Sequence, residues 1–533
     1  VPMVRTLAAT GHVAYTGWAA GMLGWQLYLA TALIKLFGFS FTAVRSSTLL
    51  VAMALAFAFQ RSLVRAGISE RNATFGTLAL VLSPLYLMLS VTFMSDIFGL
   101  FAIALCLYGC LRALQSRTDG ATIAWLCLAV ATNAVFGTSR QIAWLGILVM
   151  LPSTLWLLRG RRRVLVAGSA ATLAGVIFLL ACLHWLSHQP YIFPEHLDLK
   201  TFSPVHFLAQ LTYFLLDAPF LVLPVLALFL PNLRKARLSL LLPLCALLLA
   251  YVVVALYPSH LRGHFLLGPV GECSNPNATF AFPILQGMSP QFLPRSIQAI
   301  LPFLAFGGLL GLFTLLRRSP SEPSPADGPP PPSWQQLRIL LIPFSIAYTF
   351  LICERGATFA FHDRYLLGLL LVAILCLVRR YQEHAPHHLP VASVLLLAFM
   401  AIYSIAANHQ MFAFYRARAT LASELVAAGV PLTAVDNGWE YNLGVELQHA
   451  NHINAPFIEW PLHAYVPSPP PPPGPCTMNL WDSTPHIRPA YGVSFDPNAC
   501  YGPAPFAPVH YSRWPYRTPG TLYVVRYLPP SAP

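Results

Sequence analysis

Three short polar stretches interrupt an otherwise apolar chain, and their residue types suit the handling of a phosphorylated molecule. Asp96 closes Phe93-Met94-Ser95-Asp96, and Arg140 lies in Thr138-Ser139-Arg140-Gln141. His362-Asp363-Arg364-Tyr365 opens an apolar run, with Glu354 and Arg355 just upstream. A carboxylate in such a place can act as general base towards a hydroxyl or hold a divalent cation. Arginine is planar and always charged, and its forked donors match two phosphate oxygens in a partly desolvated setting. Asp96 is therefore the catalytic or metal-holding candidate. Arg364, Arg140 and Tyr365 are the candidates for a donor phosphate, with His362 and Asp363 in support. One such residue alone is as easily solvated or paired at a helix end; the set together points to a site. Asp217 also falls in an apolar run, and pairing with a neighbouring helix explains it better than catalysis does.

The elements that must position these residues are membrane spans. Of 533 residues, 56% are hydrophobic and 10% are charged, with mean hydropathy +0.61. Soluble proteins carry about 25% charged residues, so this chain cannot coat a soluble globule, and it is too apolar for a disordered one. A crossing helix needs about 20 mostly apolar residues. Twelve runs qualify: 42–62, 73–91, 97–114, 121–137, 141–158, 164–186, 208–230, 238–257, 297–316, 339–353, 365–379 and 390–408. The stretch 22–37 is apolar too, but its Trp25 and Lys35 suit the interface.

Alternate connections between these spans carry unequal charge. One set holds Arg61, Arg65, Arg71, Arg112, Arg117, Arg159, Arg161, Arg162, Arg163, Arg234, Lys235, Arg237, Arg317, Arg318, Arg338, Arg379 and Arg380. The other holds only Arg140, Lys200, Arg262, Arg295, Arg355 and Arg364. The positive-inside rule places the richer set in the cytoplasm. The formal net charge of +13 is then mostly a topology signal, and basic residues scattered over short loops offer no nucleic-acid face. All three chemistry-bearing stretches fall on the opposite, external side.

Three regions follow: a partial first external loop with a juxtamembrane helix (1–41), a helical bundle (42–408) and an external C-terminal domain (409–533). The last reads as a small α/β unit, with a helix over 412–428, a strand over 431–436 and a helix over 439–451. Its later half, rich in Pro and aromatics, reads as loop-dominated, with Pro469–Pro473 as polyproline II. Cys476 and Cys500 share this domain and are expected to form a disulfide. Most other cysteines sit in apolar runs as small packing residues. His384, His387 and His388 read as solvated, and 319–333 as a Pro-rich linker. The external loop 258–296 is placed to cover an acceptor. No P-loop or Rossmann glycine pattern occurs.

The order of several short motifs resembles the GT-C superfamily, in its protein O-mannosyltransferase-like and aminoarabinose-transferase-like branch. Trp25-Gln26-Leu27 through Lys35-Leu36-Phe37-Gly38, then Phe41-Thr42-Ala43-Val44-Arg45, resembles that family's juxtamembrane helix, turn and span-opening Arg. Ser83-Pro84 followed by Phe93-Met94-Ser95-Asp96 is similar to its second-external-loop pattern, and His362-Asp363-Arg364-Tyr365-Leu366 to its Asp-Arg-Tyr motif, with Gly368 near the usual Pro. The resemblance spans roughly residues 1–408. It implies an all-α polytopic bundle of the GT-C type in the inner or plasma membrane. It also implies inverting transfer of a sugar from a polyprenyl-phosphate donor to an envelope glycan, lipid or protein on the external face. No cofactor is called for beyond a possible divalent metal ion. Asp96 resembles the family's second acid, which binds metal or orients the acceptor. The family's principal base is an acid of the first external loop, yet no Asp or Glu precedes Glu70. The expectation is that the natural protein has one more helix upstream, and that the chain as given has little activity. Rival readings are a secondary transporter, a glycan polymerase or ligase with a diphosphate-linked donor, and a non-catalytic protein keeping the scaffold.

Overall fold

The computed structural model describes residues 1–18, 23–192, 202–235, 285–317, 330–358, 362–384 and 388–529, without 288 and 291 but with isolated positions in 242–249. The chain is mostly helical. Two short helices come first, α1 (Pro2–Thr10) and α2 (Trp25–Phe37). Then follow α3 (Phe41–Arg65), α4 (Glu70–Val81), α5 (Pro84–Ser90), α6 (Asp96–Gln115) and α7 (Asp119–Gly137). An irregular helix over Gln141–Met150 runs into α8 (Leu151–Leu157), and α9 covers Arg162–Ser187. After these come α10 (Pro204–Leu221), α11 (Leu223–Leu226), α12 (Arg295–Leu316), α13 (Trp334–Thr358), α14 (Leu367–Gln382) and α15 (Val391–Ala427).

Seven helices among the described residues are long and apolar enough to cross a membrane, or up to nine if each of two bent pairs is one span. Twelve was the expectation. Residues 297–316 form part of α12, and 238–257 lies almost wholly outside the described residues. Within 22–37, α2 covers Trp25–Phe37, shorter than a crossing helix.

Several expected single spans are broken, each for a visible reason. The run 73–91 bends by 70° between α4 and α5. Pro84 has no N–H to continue the ladder. The backbone groups freed there are satisfied, as an apolar surrounding demands: Ser404 of α15 donates to the Leu82 carbonyl at 2.8 Å, and the Ser83 hydroxyl accepts from the Tyr86 N–H at 3.3 Å. The run 208–230 bends by 71° between α10 and the segment from Leu223. The run 141–158 begins as a 3₁₀ turn and a π turn because Asn133 of α7 is wedged into it. The Asn133 amide donates to the Ala143 carbonyl at 2.9 Å and accepts from the Ile147 N–H at 3.1 Å, which replaces part of the regular ladder.

α6 is the centre of the bundle and α9 its periphery: 72% of the apolar stretch of α6 is buried, against 22% for α9. Small residues let neighbours approach α6 closely, as membrane helices require. A Cβ on Gly109 would stand 2.7 Å from the Ala129 Cβ of α7.

The two ends of the bundle differ as the charge pattern implied. At one end Gln115 reaches the Arg65 carbonyl, Gln382 reaches the Gly67 carbonyl, Arg161 pairs with Asp119 at 2.6 Å, and Arg380 pairs with Glu383 at 3.0 Å. The other end gathers the start of α6, the loop after α7 and the turn before α14.

The residues beyond α15 pack beside the end of α9, where the Tyr191 N–H donates to the Trp460 carbonyl. α15 runs unbroken for 37 residues, so the expected last span and the expected first tail helix are one element. Beyond it lie β1 (Val435–Asp436), α16 (Trp439–Ala450), β2 (Tyr491–Ser494), β3 (Val509–Tyr511) and β4 (Gly520–Arg526). They form one sheet in the order β1-β2-β4-β3, parallel between β1 and β2 and antiparallel elsewhere. The later half, read as loops, thus supplies three of four strands. Its strands are short and separated by Pro-rich turns, and only Leu522, Val524 and their neighbours alternate clearly. The Cys476–Cys500 disulfide is present.

Candidate functional site

Asp96 is the first residue of α6 and is almost wholly buried. A carboxylate there is favoured by the positive end of the helix dipole. Arg140 sits in the extended residue between α7 and the 3₁₀ turn. Its loop is fixed from outside: the Leu23 N–H donates to the Thr138 carbonyl at 2.8 Å, and the Trp25 N–H to the Thr138 hydroxyl at 3.4 Å. The Arg140 stem then lies across Gly99, one turn into α6. A Cβ at Gly99 would stand only 2.8 Å from the Arg140 Cβ. His362 is extended, and Asp363–Leu366 forms a 3₁₀ turn that delivers Arg364 to the same place.

The three stretches therefore converge. Arg140 Nη1 lies 3.2 Å from Asp96 Oδ1, and Arg364 Nε lies 4.0 Å from the same oxygen. Both guanidiniums pack over the Tyr365 ring, at 5.1 and 5.6 Å from its centroid, a favourable place for a cation. Tyr365 thus serves as a platform for both arginines. His362 meets the Tyr365 ring edge-on at 5.3 Å. Burial first, and Arg364 second, push the His362 imidazole down to about 3, so it is neutral at physiological pH. Neither Asp96 oxygen has a hydrogen bond, because the guanidiniums are close but not in line to donate. A buried carboxylate without a hydrogen bond is uncommon and costly.

Asp217 is buried where α10 meets the turn before α14, with the Asp363 carboxyl beside it. The described side chains do not fit a divalent cation at Asp96. Its neighbours are two guanidiniums, and no three His, Cys, Asp or Glu side chains converge among the described residues.

Lys200 and Arg262 lie outside the described residues, as do the side chains of Arg295 and Arg355. Residues 258–284 of the external loop lie outside as well. Gln286, just beyond, hydrogen-bonds the Tyr527 hydroxyl and bridges to Ser494 in the tail sheet.

Sequence reasoning missed Tyr348 of α13, a buried ring whose neighbouring charges include Arg140 and Asp96. The signal for it was Gly368, which departs from the family motif. A Cβ at Gly368 would stand 2.6 Å from the Tyr348 ring, so the glycine makes the room that this tyrosine occupies.

No family model and no curated protein matches the chain. Among solved structures, it is similar to ArnT from Cupriavidus metallidurans in the apo state, at 16% identity and a TM-score of 0.36. It is similar also to the same ArnT bound to undecaprenyl phosphate, at 15% identity and a TM-score of 0.39. In both cases 99% of this chain and 92% of that chain are covered.

Proposed function

We propose that the chain is an integral membrane glycosyltransferase of the GT-C type, using a polyprenyl-phosphate sugar on the extracytoplasmic side. The observation that carries the reading is the meeting of Arg140 and Arg364 on one buried carboxylate, at the bundle end opposite the arginine-rich rim. The motif order Ser83-Pro84, Phe93–Asp96 and His362–Leu366 supports it independently.

The chemistry follows from the charges. Breaking the bond between the anomeric carbon and the phosphate oxygen leaves negative charge on the polyprenyl phosphate. Two guanidiniums fixed over one ring stabilise that charge without having to reorganise. An acceptor hydroxyl attacks the anomeric carbon from the opposite face, which inverts it, and loses its proton to a base. The resemblance assigns that base to a first-loop acid. Asp96 holds the arginines through Oδ1, and its Oδ2, buried and without a hydrogen bond, is suited to accept from the incoming hydroxyl. In this reading the arginine-rich rim is cytoplasmic, and the C-terminal domain shares the extracytoplasmic side with the site.

The test uses the full chain in lipid nanodiscs with a panel of polyprenyl-phosphate sugars. Transfer, or tighter binding of undecaprenyl phosphate than of the phosphate-free polyprenol, is expected, and both should be lost in Arg364→Gln. Equal binding of the two lipids by the unaltered protein overturns the reading. A C-terminal reporter active only in the cytoplasm would overturn the orientation.

A further inference from the structure

The C-terminal domain exposes a run of large apolar side chains within one loop. Phe457, Trp460, Leu462 and Val466 are 49%, 57%, 78% and 61% exposed. Such a cluster on a domain in water is a liability unless something covers it.

Its position names the cover. The loop is tied directly to the end of α9, the least buried of the seven unbroken spans among the described residues. The Tyr191 N–H, four residues beyond the last residue of α9, donates to the Trp460 carbonyl at 2.7 Å. Tyr191 also stacks on His452 at 4.6 Å. The segment before α2 is held in the same joint: the Gly17 N–H donates to the Tyr191 carbonyl at 2.8 Å, and the Ile453 N–H to the Thr16 carbonyl at 2.8 Å. The joint is tight, because a Cβ at Gly17, whose φ is already +74°, would stand 2.6 Å from the Ile458 side chain.

α9 itself presents Ile177, Leu180, Leu183 and Trp185 outward, apolar to its last turn. Tyr191 is four residues past the last residue of α9, and at about 3.5 Å per extended residue it lies within roughly 14 Å of the helix end. Its hydrogen bond to Trp460 therefore holds the loop close to the end of the lipid-facing surface of α9. That is where Trp and other amphipathic rings collect in membrane proteins. Glu459 and His463, the loop's ionisable residues, alternate with the apolar ones, which suits headgroup depth and not the hydrocarbon interior.

We infer that the loop 455–466 is a membrane-interface anchor, whose apolar side chains enter the lipid headgroup layer beside the end of α9 and hold the C-terminal domain down on the bilayer. The occupant of the patch is phospholipid, and the patch continues the lipid-facing surface of α9. The inference does not depend on the transferase reading and would survive its failure.

The test is photocrosslinking of the full chain in phosphatidylcholine nanodiscs, with p-benzoylphenylalanine placed at Leu462, Leu180 or Glu424 in separate preparations. Leu180 faces outward two turns before the end of α9, and Glu424 is exposed near the far end of α15, well beyond a bilayer thickness from its start. Lipid adducts, read by intact mass, are expected at 462 and 180, at least about tenfold above those at 424. Adducts at 180 but not at 462 overturn the anchor, as does a cross-link from 462 to a second copy of the chain in place of lipid. A second measurement covers misplacement of the probe. Trp460→Leu should reduce the share of tryptophan fluorescence quenched by brominated lipid, and an unchanged share would also overturn the inference.

Discussion

Gly99 allows the phosphate grip to be loosened without removing any group that does chemistry. Gly99→Ala adds one methyl that would stand 2.8 Å from the Arg140 Cβ. Carbon atoms in contact sit at about 3.5–4.0 Å, so Arg140 must retreat by roughly 0.7–1.2 Å. Its 3.2 Å approach to Asp96 then lengthens, and so does its approach to any phosphate at the same place. A full charge-assisted contact is worth about 1.5–3 kcal/mol. Losing part of one, about 1–2 kcal/mol, weakens binding by about 5- to 30-fold. Overpacking costs stability as well, about 1–3 kcal/mol, partly offset by the helix preference of Ala over Gly, about 1 kcal/mol. The assay is the Kd for undecaprenyl phosphate in nanodiscs, measured well below the Tm, with the phosphate-free polyprenol as comparator. Gly120→Ala, in the first turn of α7 with nothing within 4 Å of the added carbon, is the control. The lipid phosphate should lose affinity in Gly99→Ala alone, and the polyprenol should lose none. Unchanged affinity for the phosphate, or equal loss for both lipids, refutes the placement of Arg140 in a phosphate site.

Three further outcomes follow from the same geometry. Asp96→Asn leaves the buried Arg364 and the half-buried Arg140 without their shared anion; removing one partner of a buried pair costs up to about 3–5 kcal/mol, so Tm should fall and transfer should stop while membrane insertion persists. His362 is held at about 3, below its ordinary 6.5, so the unfolded chain takes up a proton that the folded chain refuses as the pH falls; stability is full above about 6.5 and declines towards about 3, and His362→Gln should show a smaller loss of Tm than the unaltered protein between pH 7 and pH 5. In the C-terminal domain the Tyr527 hydroxyl donates to Asp436 at 2.5 Å, and burial first, then Asp436, holds it well above the usual phenol range; Tyr527→Phe leaves that carboxylate oxygen without its donor and should cost about 1–3 kcal/mol, read as earlier unfolding of the tail in limited proteolysis.

The helical class, most span positions, the split between an arginine-rich rim and a sparse one, and the pairing of Cys476 with Cys500 were all legible in the sequence. These properties are local or additive: hydropathy averaged over a span needs no knowledge of what the span touches, and charge can be counted loop by loop. The three polar stretches were visible for the same reason, since an Asp or Arg beside apolar runs stands out by type alone. The tertiary structure alone decided how they act together. That Arg140 reaches Asp96 depends on Gly99 letting the arginine stem cross α6. That Tyr365 carries both guanidiniums, and that Gly368 clears space for Tyr348, depends on helices far apart in sequence lying side by side. Asn133 unwinding the helix after Arg140 left no trace in a hydropathy profile, because one polar side chain acts there through two backbone hydrogen bonds on the next helix. The tail sheet stayed hidden because its strands pair across long Pro-rich turns, and short strands gain their definition from partners and not from their own pattern.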